Sequence, residues 1–512
     1  MNKTPRRDFI KTAGGLILLA GATPWPTALA QTLTKPPGEK RPFNVLFMTS
    51  DDMNGFMPGW MGNPLKPTPN MDAFAATAHR FVDNHDAAPI CQPSREAMLT
   101  GLWPHRSGAL GFNPINEGVP TLATVLKDKG YFIAALNKLE HMQPKSCFPW
   151  DYSTNDSGRN PPMIEEQVAE AIKQAQGKPF LIICNSRDPH RPWPALNPDG
   201  ANAEHGPNWA RNGSPIDDVT HPITTDQVTV PSFLEDLPPI REEIAHYHRA
   251  VQRLDLSFGK AMAALQASGE MERTIILFVS DHGMPFPLSK ATCYRNGSWC
   301  PLTIRWPGMG APQTFQEMTQ SIDIMPTLLD LLGIEKPEMD GRSLLPLIKG
   351  EKQANRDYII NNVNGVANGN QWPMRVVQTK TSALIVTPWS NGKKRFFGID
   401  SMGGLTLKAM EEAAQTNPRI KKRVEQYLSG YPMAFYDLVA DPDQRENVIN
   451  NPAHSAEIKR LQDILMNYMV TTKDPQLENY KTILAGGVCD VETVPKGKKG
   501  GRRKNDSPET TD

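Results

Sequence analysis

The chain has 512 residues, with 55 basic and 55 acidic side chains and therefore no formal net charge. This length can bury a large core and predicts two domains. The even charge balance gives no indication of the basic surface that binding to nucleic acid requires, so we expect no nucleic-acid partner. Six cysteines are too few for a disulfide scaffold. Cys293 and Cys300 are close enough in sequence to pair in an oxidising compartment, and the sequence leaves that pairing open.

The first 30 residues have the layout of an export signal. Arg6 and Arg7 precede an apolar run at 14–20, and residues 28–30 form a small-residue cleavage pattern. The alternative is a membrane anchor, but the apolar run is far shorter than the ~20 residues that a membrane span needs. We therefore predict a twin-arginine signal peptide at 1–30, recognised by the twin-arginine translocase, a linker at 31–42, and a periplasmic or secreted protein.

Four short apolar runs predict buried strands, and helical segments alternate with them. The predicted strands are 45–48, 131–136, 180–184 and 274–279. The predicted helices are 71–78, 122–129, 164–176, 241–267 and 321–333. This alternation predicts an α/β fold with a large, mostly parallel sheet between two layers of helices.

Ionisable side chains follow each predicted strand, at the sheet edge where such folds bind ligands. They are Asp51, Asp52, Lys138, His141, Asp188, His190, Asp281 and His282. An aspartate after a single strand is commonly only a turn former, but four such strand ends indicate one shared site. The carboxylates favour a hard cation, Ca²⁺ or Mg²⁺. Arg95, Lys138 and Lys290 add the positive charge that suits a sulfate or phosphate group, and the histidines could move protons near neutral pH.

The segment 91–101 contains the candidate nucleophile, Cys91. Pro93 excludes a strand interior, and Ser94 is a candidate N-cap for a helix. Local physics alone favours a buried thiol or an ordinary helix start. A thiolate also matches a site built for oxygen chemistry poorly.

This segment resembles the motif of the formylglycine-dependent sulfatases, a family with an alkaline phosphatase-like fold. The matching residues are Cys91, Pro93, Ser94, Arg95, Leu99, Thr100 and Gly101. The likeness extends to Asp51 and Asp52, to 68–72, to 281–283, to 339–345 and to 435–447. In that family a maturing enzyme oxidises the cysteine to formylglycine, and the hydrate of this aldehyde is the nucleophile.

The resemblance implies a role for each matching residue. The implied ligands of Ca²⁺, with Mg²⁺ as the alternative, are Asp51, Asp52, Asp281, His282 and the modified Cys91. Arg95 steadies the formylglycine, Lys138 binds its hydroxyl and the sulfate, and His141 is the base that restores the aldehyde. His190 and Lys290 lie on the leaving-group side, with His190 as the proton donor. Position 282 departs from the family, in which many members have Asn, and 138–141 is one residue longer than the Lys-x-His of many members.

Three stretches look closest to the sulfamidases, which remove the N-sulfate of glucosamine in heparan sulfate. They are 188–191, 283–287 and 373–378. Arg187, Asp188, Arg191 and Arg375 are therefore candidate residues for binding a sulfated sugar or oligosaccharide, although arginines there also fit ordinary surface charge. The alternatives are an O-sulfatase for another sulfated polysaccharide, a phosphonate monoester or phosphodiester hydrolase, and a non-catalytic glycan-binding protein with an unmodified Cys91.

The predicted catalytic domain covers 43–350, and a smaller α+β domain follows at 351–480. Short strands at 358–360, 374–378 and 382–386, with turn signals between them, predict an antiparallel sheet. A final helix is predicted at 453–470. The polar, glycine-rich and charged residues 481–512 predict a disordered tail.

Overall fold

The computed structural model describes residues 41–156, 158–193 and 219–493. The predicted signal peptide, most of the predicted linker and residues 494–512 of the predicted tail lie outside the described residues. Within the described part, no helix combines the length and the apolar character of a membrane span.

The chain forms fourteen strands within the described residues, numbered here in chain order. They are β1 Asn44–Ser50, β2 His79–Phe81, β3 Asn84–His85, β4 Phe132–Leu136, β5 Tyr152–Thr154, β6 Phe180–Asn185, β7 Thr274–Ser280, β8 Leu302–Arg305, β9 Thr314–Phe315, β10 Thr319–Gln320, β11 Tyr358–Gly365, β12 Gln371–Thr379, β13 Ser382–Val386 and β14 Met433–Asp437. All four strands predicted for the large sheet are confirmed, as β1, β4, β6 and β7.

Fourteen α-helices are formed by the described residues. They are α1 Pro69–Ala75, α2 Cys91–Thr100, α3 Pro104–Ser107, α4 Leu122–Asp128, α5 Pro161–Gln174, α6 Pro238–Ala267, α7 Arg295–Ser298, α8 Ile324–Leu332, α9 Leu345–Ile348, α10 Ile399–Met402, α11 Leu405–Ala413, α12 Pro418–Leu428, α13 Ser455–Thr472 and α14 Leu477–Leu484. The predicted helices are confirmed, but α13 is not the final helix. The helix α14 follows it and includes residues 481–484, which the sequence assigned to the tail.

The large sheet has eight strands in the order β5-β4-β6-β1-β7-β8-β2-β9. Its centre is parallel: β1 pairs with β6 on one side and with β7 on the other. Among the described strands of this sheet, only the β7–β8 and β8–β2 pairings are antiparallel. This architecture confirms the predicted mostly parallel sheet.

The continuous apolar run of β1 is explained by burial on both faces of the sheet. Leu46 and Met48 belong to one hydrophobic core together with residues of α6. The alternating residues Val45 and Phe47 belong to a second core together with residues of α8. Because β1 lies in the middle of the sheet between two helical layers, its last residues deliver Asp51 and Asp52 to the centre of one sheet edge.

A second sheet, β11-β12-β13-β14, is antiparallel throughout, as predicted for the C-terminal part. Helix α13 packs on it through Leu461, Leu465 and Met469. The domain boundary predicted near 350 falls between α9 and β11 and stays a prediction, because one core includes residues from both sides of it, such as Met284 and Trp372.

Helix α2 begins earlier than the sequence indicated. Its first residue is Cys91 and its N-cap is Ile90, so the prediction of Ser94 as N-cap is wrong. The first turn of a helix has no intrahelical acceptor for its N–H groups, so Pro93 fits there without losing a hydrogen bond. Cys91 thus lies at the helix N-terminus itself.

Candidate active site

Asp51 and Asp52 follow β1 directly, and both are fully buried. Asp52 has φ of 72°, in the left-handed region. Its N–H donates to Asp281 Oδ1 at 3.0 Å, and its carbonyl accepts from the hydroxyl of Tyr247 at 2.7 Å. These two bonds hold the reversed backbone that turns neighbouring carboxylates in different directions.

Cys91 is directed at the two aspartates and His282. Its Sγ lies 3.5 Å from Asp51 Oδ1 and 3.2 Å from His282 Nε2. Burial, together with the charge of Asp51, raises the pKa of the Cys91 thiol well above its usual value. The encoded side chain is therefore a protonated thiol, which is a poor nucleophile.

Four buried side chains form a set of possible metal ligands. One ligand atom each from Asp51, Asp52, Cys91 and His282 lies within 4.8 Å of the others. Asp281, predicted as a fifth ligand, is adjacent but falls outside this set of four: its Oδ1 is 3.6 Å from His282 Nε2. Its two carboxylate oxygens are engaged by Arg95 Nη2, at 2.9 Å, and by the N–H of Asp52.

The donor set fits a divalent cation. Burial and the neighbouring Asp51 raise the pKa of Asp281 to about 7, which shows the cost of gathering these carboxylates in one buried place. A bound cation would remove that cost, because carboxylate oxygens and a neutral imidazole are ordinary ligands for divalent metals.

Three cations from three different parts of the chain neutralise the three carboxylates. Lys138 Nζ contacts Asp51 Oδ2, and Lys290 Nζ lies 2.8 Å from Asp52 Oδ1. Although burial acts to raise it, the ammonium of Lys138, together with the charges of His190, Arg95 and Lys290, holds the pKa of the Asp51 carboxyl well below its usual range. Asp51 therefore stays ionised, and the surrounding cations supply the positive charge that suits binding of an oxyanion.

The side chain of Arg95 is held in place by hydrogen bonds to residues that the sequence analysis did not single out. Its Nη1 donates to Thr49 Oγ1 and to Asn185 Oδ1, each at 2.7 Å, and its Nη2 donates to the carbonyl of Ser50. Asn185 is the last residue of β6, in register with Thr49 of β1. The signal that could have found it is its place at the end of a predicted strand, next to the charged residues already chosen.

Ser94 connects the Cys91 helix to β7. Its hydroxyl lies 2.6 Å from the carbonyl of Asp281 and 2.8 Å from Asp86 Oδ1. The serine of the 91–95 motif thus acts as a structural tie, and it is fully buried.

His141 lies in a 3-10 turn, Leu139–His141, that begins after the left-handed Lys138. Burial, with the positive charges of Lys138 and Arg95, lowers the pKa of His141 well below its usual value. Its Nδ1 has no hydrogen-bond partner among the described residues, and its ring contacts Phe112 edge-on with centroids 5.6 Å apart. The imidazole is therefore neutral and suited to accept a proton.

His190 has its ring orientation fixed by the main chain. Its Nδ1 is 2.5 Å from the carbonyl of Arg191, and because a carbonyl only accepts, Nδ1 carries a proton. Arg159 donates to the carbonyls of both His190 and Arg191. The second ring nitrogen, Nε2, is thereby the atom that gains and loses a proton.

Two of the predicted substrate-binding residues are structural. Asp188 is fully buried and forms a bidentate ion pair with Arg253, at 2.6 and 2.7 Å. Arg375 is fully buried in β12 and forms a bidentate pair with Asp474, at 2.6 and 2.8 Å. The substrate-binding prediction is wrong for both, because their charged atoms are occupied inside the protein.

The other two predicted substrate-binding residues also have partners within the protein but keep some exposed side-chain surface. Arg187 is partly exposed and pairs with Glu140 at 2.8 Å. The guanidinium of Arg191 lies 4.0 Å from the ring centroid of Trp193, and its Nη2 is 2.6 Å from Glu243 Oε1. Both residues flank His190 in the chain and border the same edge of the sheet.

Comparison with known protein families shows which family the chain belongs to. Residues 43–334 match the sulfatase family model, which covers more than half of the chain. The chain belongs to the sulfatase family. Residues 285–385 also match the model of the C-terminal part of N-sulphoglucosamine sulphohydrolase. A sulfatase hydrolyses sulfate esters or sulfamates, and its family generally uses formylglycine and a metal ion.

Individual relatives agree with this family. Human N-sulphoglucosamine sulphohydrolase is 26% identical over 469 residues, which cover 85% of this chain and 91% of the human protein. An N-acetylglucosamine-6-O-sulfatase of Bacteroides thetaiotaomicron is 23% identical over 541 residues, covering 88% of this chain and 90% of that protein. Among solved structures, a phosphonate monoester hydrolase from Silicibacter pomeroyi superposes with a TM-score of 0.60 at 20% identity, covering 85% of this chain and 96% of the other. This last likeness confirms the alkaline phosphatase-like fold of the sulfatase.

All six cysteines of this sulfatase are buried free thiols. Cys293 and Cys300 are therefore not joined in this structure, which answers the question that the sequence left open.

Proposed function

We propose that this sulfatase removes the N-sulfate group from glucosamine residues of heparan-type saccharides, after Cys91 has been converted to formylglycine. The observation that carries the proposal is the match of residues 285–385 to the C-terminal model of N-sulphoglucosamine sulphohydrolase. That stretch contains Lys290 and residues 285–287, the last three residues of the segment 283–287. The likeness to the human N-sulphoglucosamine sulphohydrolase along most of both chains supports the same substrate.

In the proposed reaction, the groups that take up a proton and the groups that deliver one lie on two sides of Cys91. The formylglycine would supply an oxygen nucleophile, and the cation would offset negative charge on the sulfate oxygens. On one side, Lys138 holds Asp51 ionised, Arg95 pairs with Asp281, and neutral His141 can take up a proton. On the other side, Lys290 pairs with Asp52, and His190 Nε2 can deliver a proton to the departing amine.

Substrate choice is tested by comparing two small sugars. We expect release of sulfate from glucosamine N-sulfate to be much faster than release from 6-O-sulfated N-acetylglucosamine. Turnover of the 6-O-sulfate alone would overturn the N-sulfatase proposal and would favour an O-sulfatase. Faster turnover of an aryl phosphodiester than of an aryl sulfate would instead indicate a phosphonate monoester or phosphodiester hydrolase.

Conversion of Cys91 is tested by the mass of the peptide that contains it. We expect formylglycine in protein isolated from its native host or co-expressed with a formylglycine-generating enzyme. An unmodified thiol under both conditions, with no sulfate release, would leave a glycan-binding protein without catalysis. Cys91→Ala in the co-expressed protein should abolish turnover.

Export is part of the proposal. The twin-arginine pattern at residues 6–7 and the cleavage pattern at 28–30 support transfer of the folded protein to the periplasm or beyond. Replacing both arginines with lysine should retain the protein in the cytoplasm with its first 30 residues uncleaved. Export and cleavage of that variant would contradict the proposed route.

A further inference from the structure

His282 has a tautomer that the surrounding main chain dictates. Its Nδ1 lies 3.0 Å from the carbonyl of Gly283 and 3.4 Å from Asp52 Oδ1. Both neighbours are oxygens that accept hydrogen bonds, so the ring proton is on Nδ1. The lone pair on Nε2 is therefore directed at the other side of the ring.

The atoms near Nε2 belong to two members of the ligand set, Cys91 and Asp51, and to the neighbouring Asp281. Cys91 Sγ is 3.2 Å away, Asp281 Oδ1 is 3.6 Å away and Asp51 Oδ1 is 4.0 Å away. The imidazole has no exposed surface at all. A histidine that gives one ring N–H to a main-chain carbonyl and directs its other nitrogen at carboxylates has the arrangement of a metal-binding histidine.

A nitrogen donor at this position changes which cation the site favours. Ca²⁺ and Mg²⁺ take oxygen ligands almost exclusively, whereas imidazole favours first-row transition metals and carboxylates are compatible with Mn²⁺. The amide oxygen of an asparagine, which many members of the family have here, would complete an all-oxygen site. His282 replaces that oxygen with a nitrogen that the protein has pre-oriented.

We propose that His282 makes this site selective for a first-row transition-metal dication such as Mn²⁺ over Ca²⁺. The inference rests on the metal-dependent sulfatase chemistry proposed above, and it replaces the Ca²⁺ that the family resemblance implies. The selectivity belongs to the protein's own ligand set and does not depend on which sulfated sugar is the substrate.

The first experiment measures metal affinity directly. The purified protein, with the state of Cys91 established by mass, is stripped with a chelator and titrated with Mn²⁺, with free Mn²⁺ followed by electron paramagnetic resonance; Ca²⁺ is then added as competitor. We expect wild-type protein to prefer Mn²⁺ by about tenfold or more, and His282→Asn to lose most of that preference. A Ca²⁺ affinity equal to or higher than that for Mn²⁺ in wild-type protein would overturn the proposal.

The second experiment identifies the ligand. Pulsed electron paramagnetic resonance of bound Mn²⁺ should show coupling to ¹⁴N of an imidazole in wild-type protein and no such coupling in His282→Asn. His141→Asn is the matched control and should keep the signal, because His141 lies outside the ligand set. Absence of ¹⁴N coupling in wild-type protein would refute the assignment even if His282→Asn failed to fold. Loss of N-sulfatase activity with intact Mn²⁺ selectivity would overturn only the proposed substrate.

Discussion

Asn185 Oδ1 lies 2.7 Å from Arg95 Nη1 and 2.7 Å from Thr49 Oγ1, and so joins the end of β6 to both the motif arginine and the end of β1. Its amide nitrogen donates to the carbonyls of Leu136 and Asn137 at the end of β4. One buried amide therefore aligns three adjacent strand ends with the helix that contains Cys91.

Asn185→Ala should lower activity and stability together. The change leaves one donor of Arg95, the hydroxyl of Thr49 and two carbonyls without this partner. We expect a cost of about 1–3 kcal/mol in the free energy of unfolding. We expect kcat to fall about 10- to 100-fold, because Arg95 then moves relative to Asp281. Asn185 is outside the 91–101 motif, so formylglycine content, measured by mass, should be unchanged. Wild-type kcat in this variant would show that Arg95 needs no support from β6.

Arg375→Gln should destabilise the protein without changing substrate affinity. Arg375 is buried and paired with Asp474, and breaking a buried pair typically costs about 3–5 kcal/mol. The free energy of unfolding in urea measures this loss, and Lys260→Gln, which removes a surface pair with Glu165, should change it by no more than about 1 kcal/mol. A raised KM with unchanged stability would restore Arg375 to the substrate-binding residues.

The pH below which activity is lost should be lower than it would be if His141 had the usual histidine pKa. Because burial and the nearby cations lower the pKa of His141 well below 6.5, the ring stays neutral as pH falls to that value and beyond. Activity is then lost only when pH passes through the lowered pKa. Arg187 is one of the cations, so Arg187→Gln should raise the pKa of His141 and shift the acid limb of kcat/KM to higher pH.

The control for this shift is Arg241→Gln, which removes an exposed arginine paired with Asp236. Its acid limb should coincide with that of the wild-type protein. An acid limb of Arg187→Gln that also coincides with wild type would mean that His141 does not govern the profile.

Glu96 should make stability fall as pH rises. Burial raises its pKa from 4.5 to about 9, so the folded protein keeps this carboxyl protonated at neutral pH while the unfolded chain ionises it. The folded state binds the extra proton between about pH 4.5 and 9, and stability is lost across that window.

Glu96→Gln removes this titration and should remain stable at alkaline pH. From pH 5 to pH 8 the wild-type free energy of unfolding should fall relative to the variant, by up to about 4 kcal/mol. Glu412→Gln, at an exposed position of α11, should follow the wild-type curve. Parallel curves for wild type and Glu96→Gln would show that Glu96 is ionised in the folded protein.

The sheet and its active edge could be predicted because both depend on local sequence. Continuous apolar runs identify strands buried on two faces, and parallel strands bring their last residues to one edge whatever the intervening loops do. Asp51, Lys138 and Asp281 were found in this way.

What the sequence could not show is which charged residues have partners inside the protein. In the sequence, Asp188 and Arg375 look like surface charges. In the structure, Asp188 pairs with Arg253, 65 residues away, and Arg375 pairs with Asp474, 99 residues away. Asn185 was missed for the opposite reason, because a neutral amide at a strand end has no distinctive sequence pattern. Tertiary contacts, rather than propensity, decide these three cases.

The left-handed backbone of Asp52 makes the site sensitive to chain length at one point. Asp51 forms an ion pair with Lys138, which follows β4, and Asp52 forms one with Lys290, which follows β7. Two consecutive residues therefore pair with cations that come from opposite sides of β1. Loops elsewhere can lengthen without moving these groups, since the strands position them. A single residue inserted between Asp51 and Asp52 would separate the two flanks of the charge network while leaving the sheet intact. The site therefore depends on Asp51 and Asp52 being adjacent in the chain as much as on their side chains.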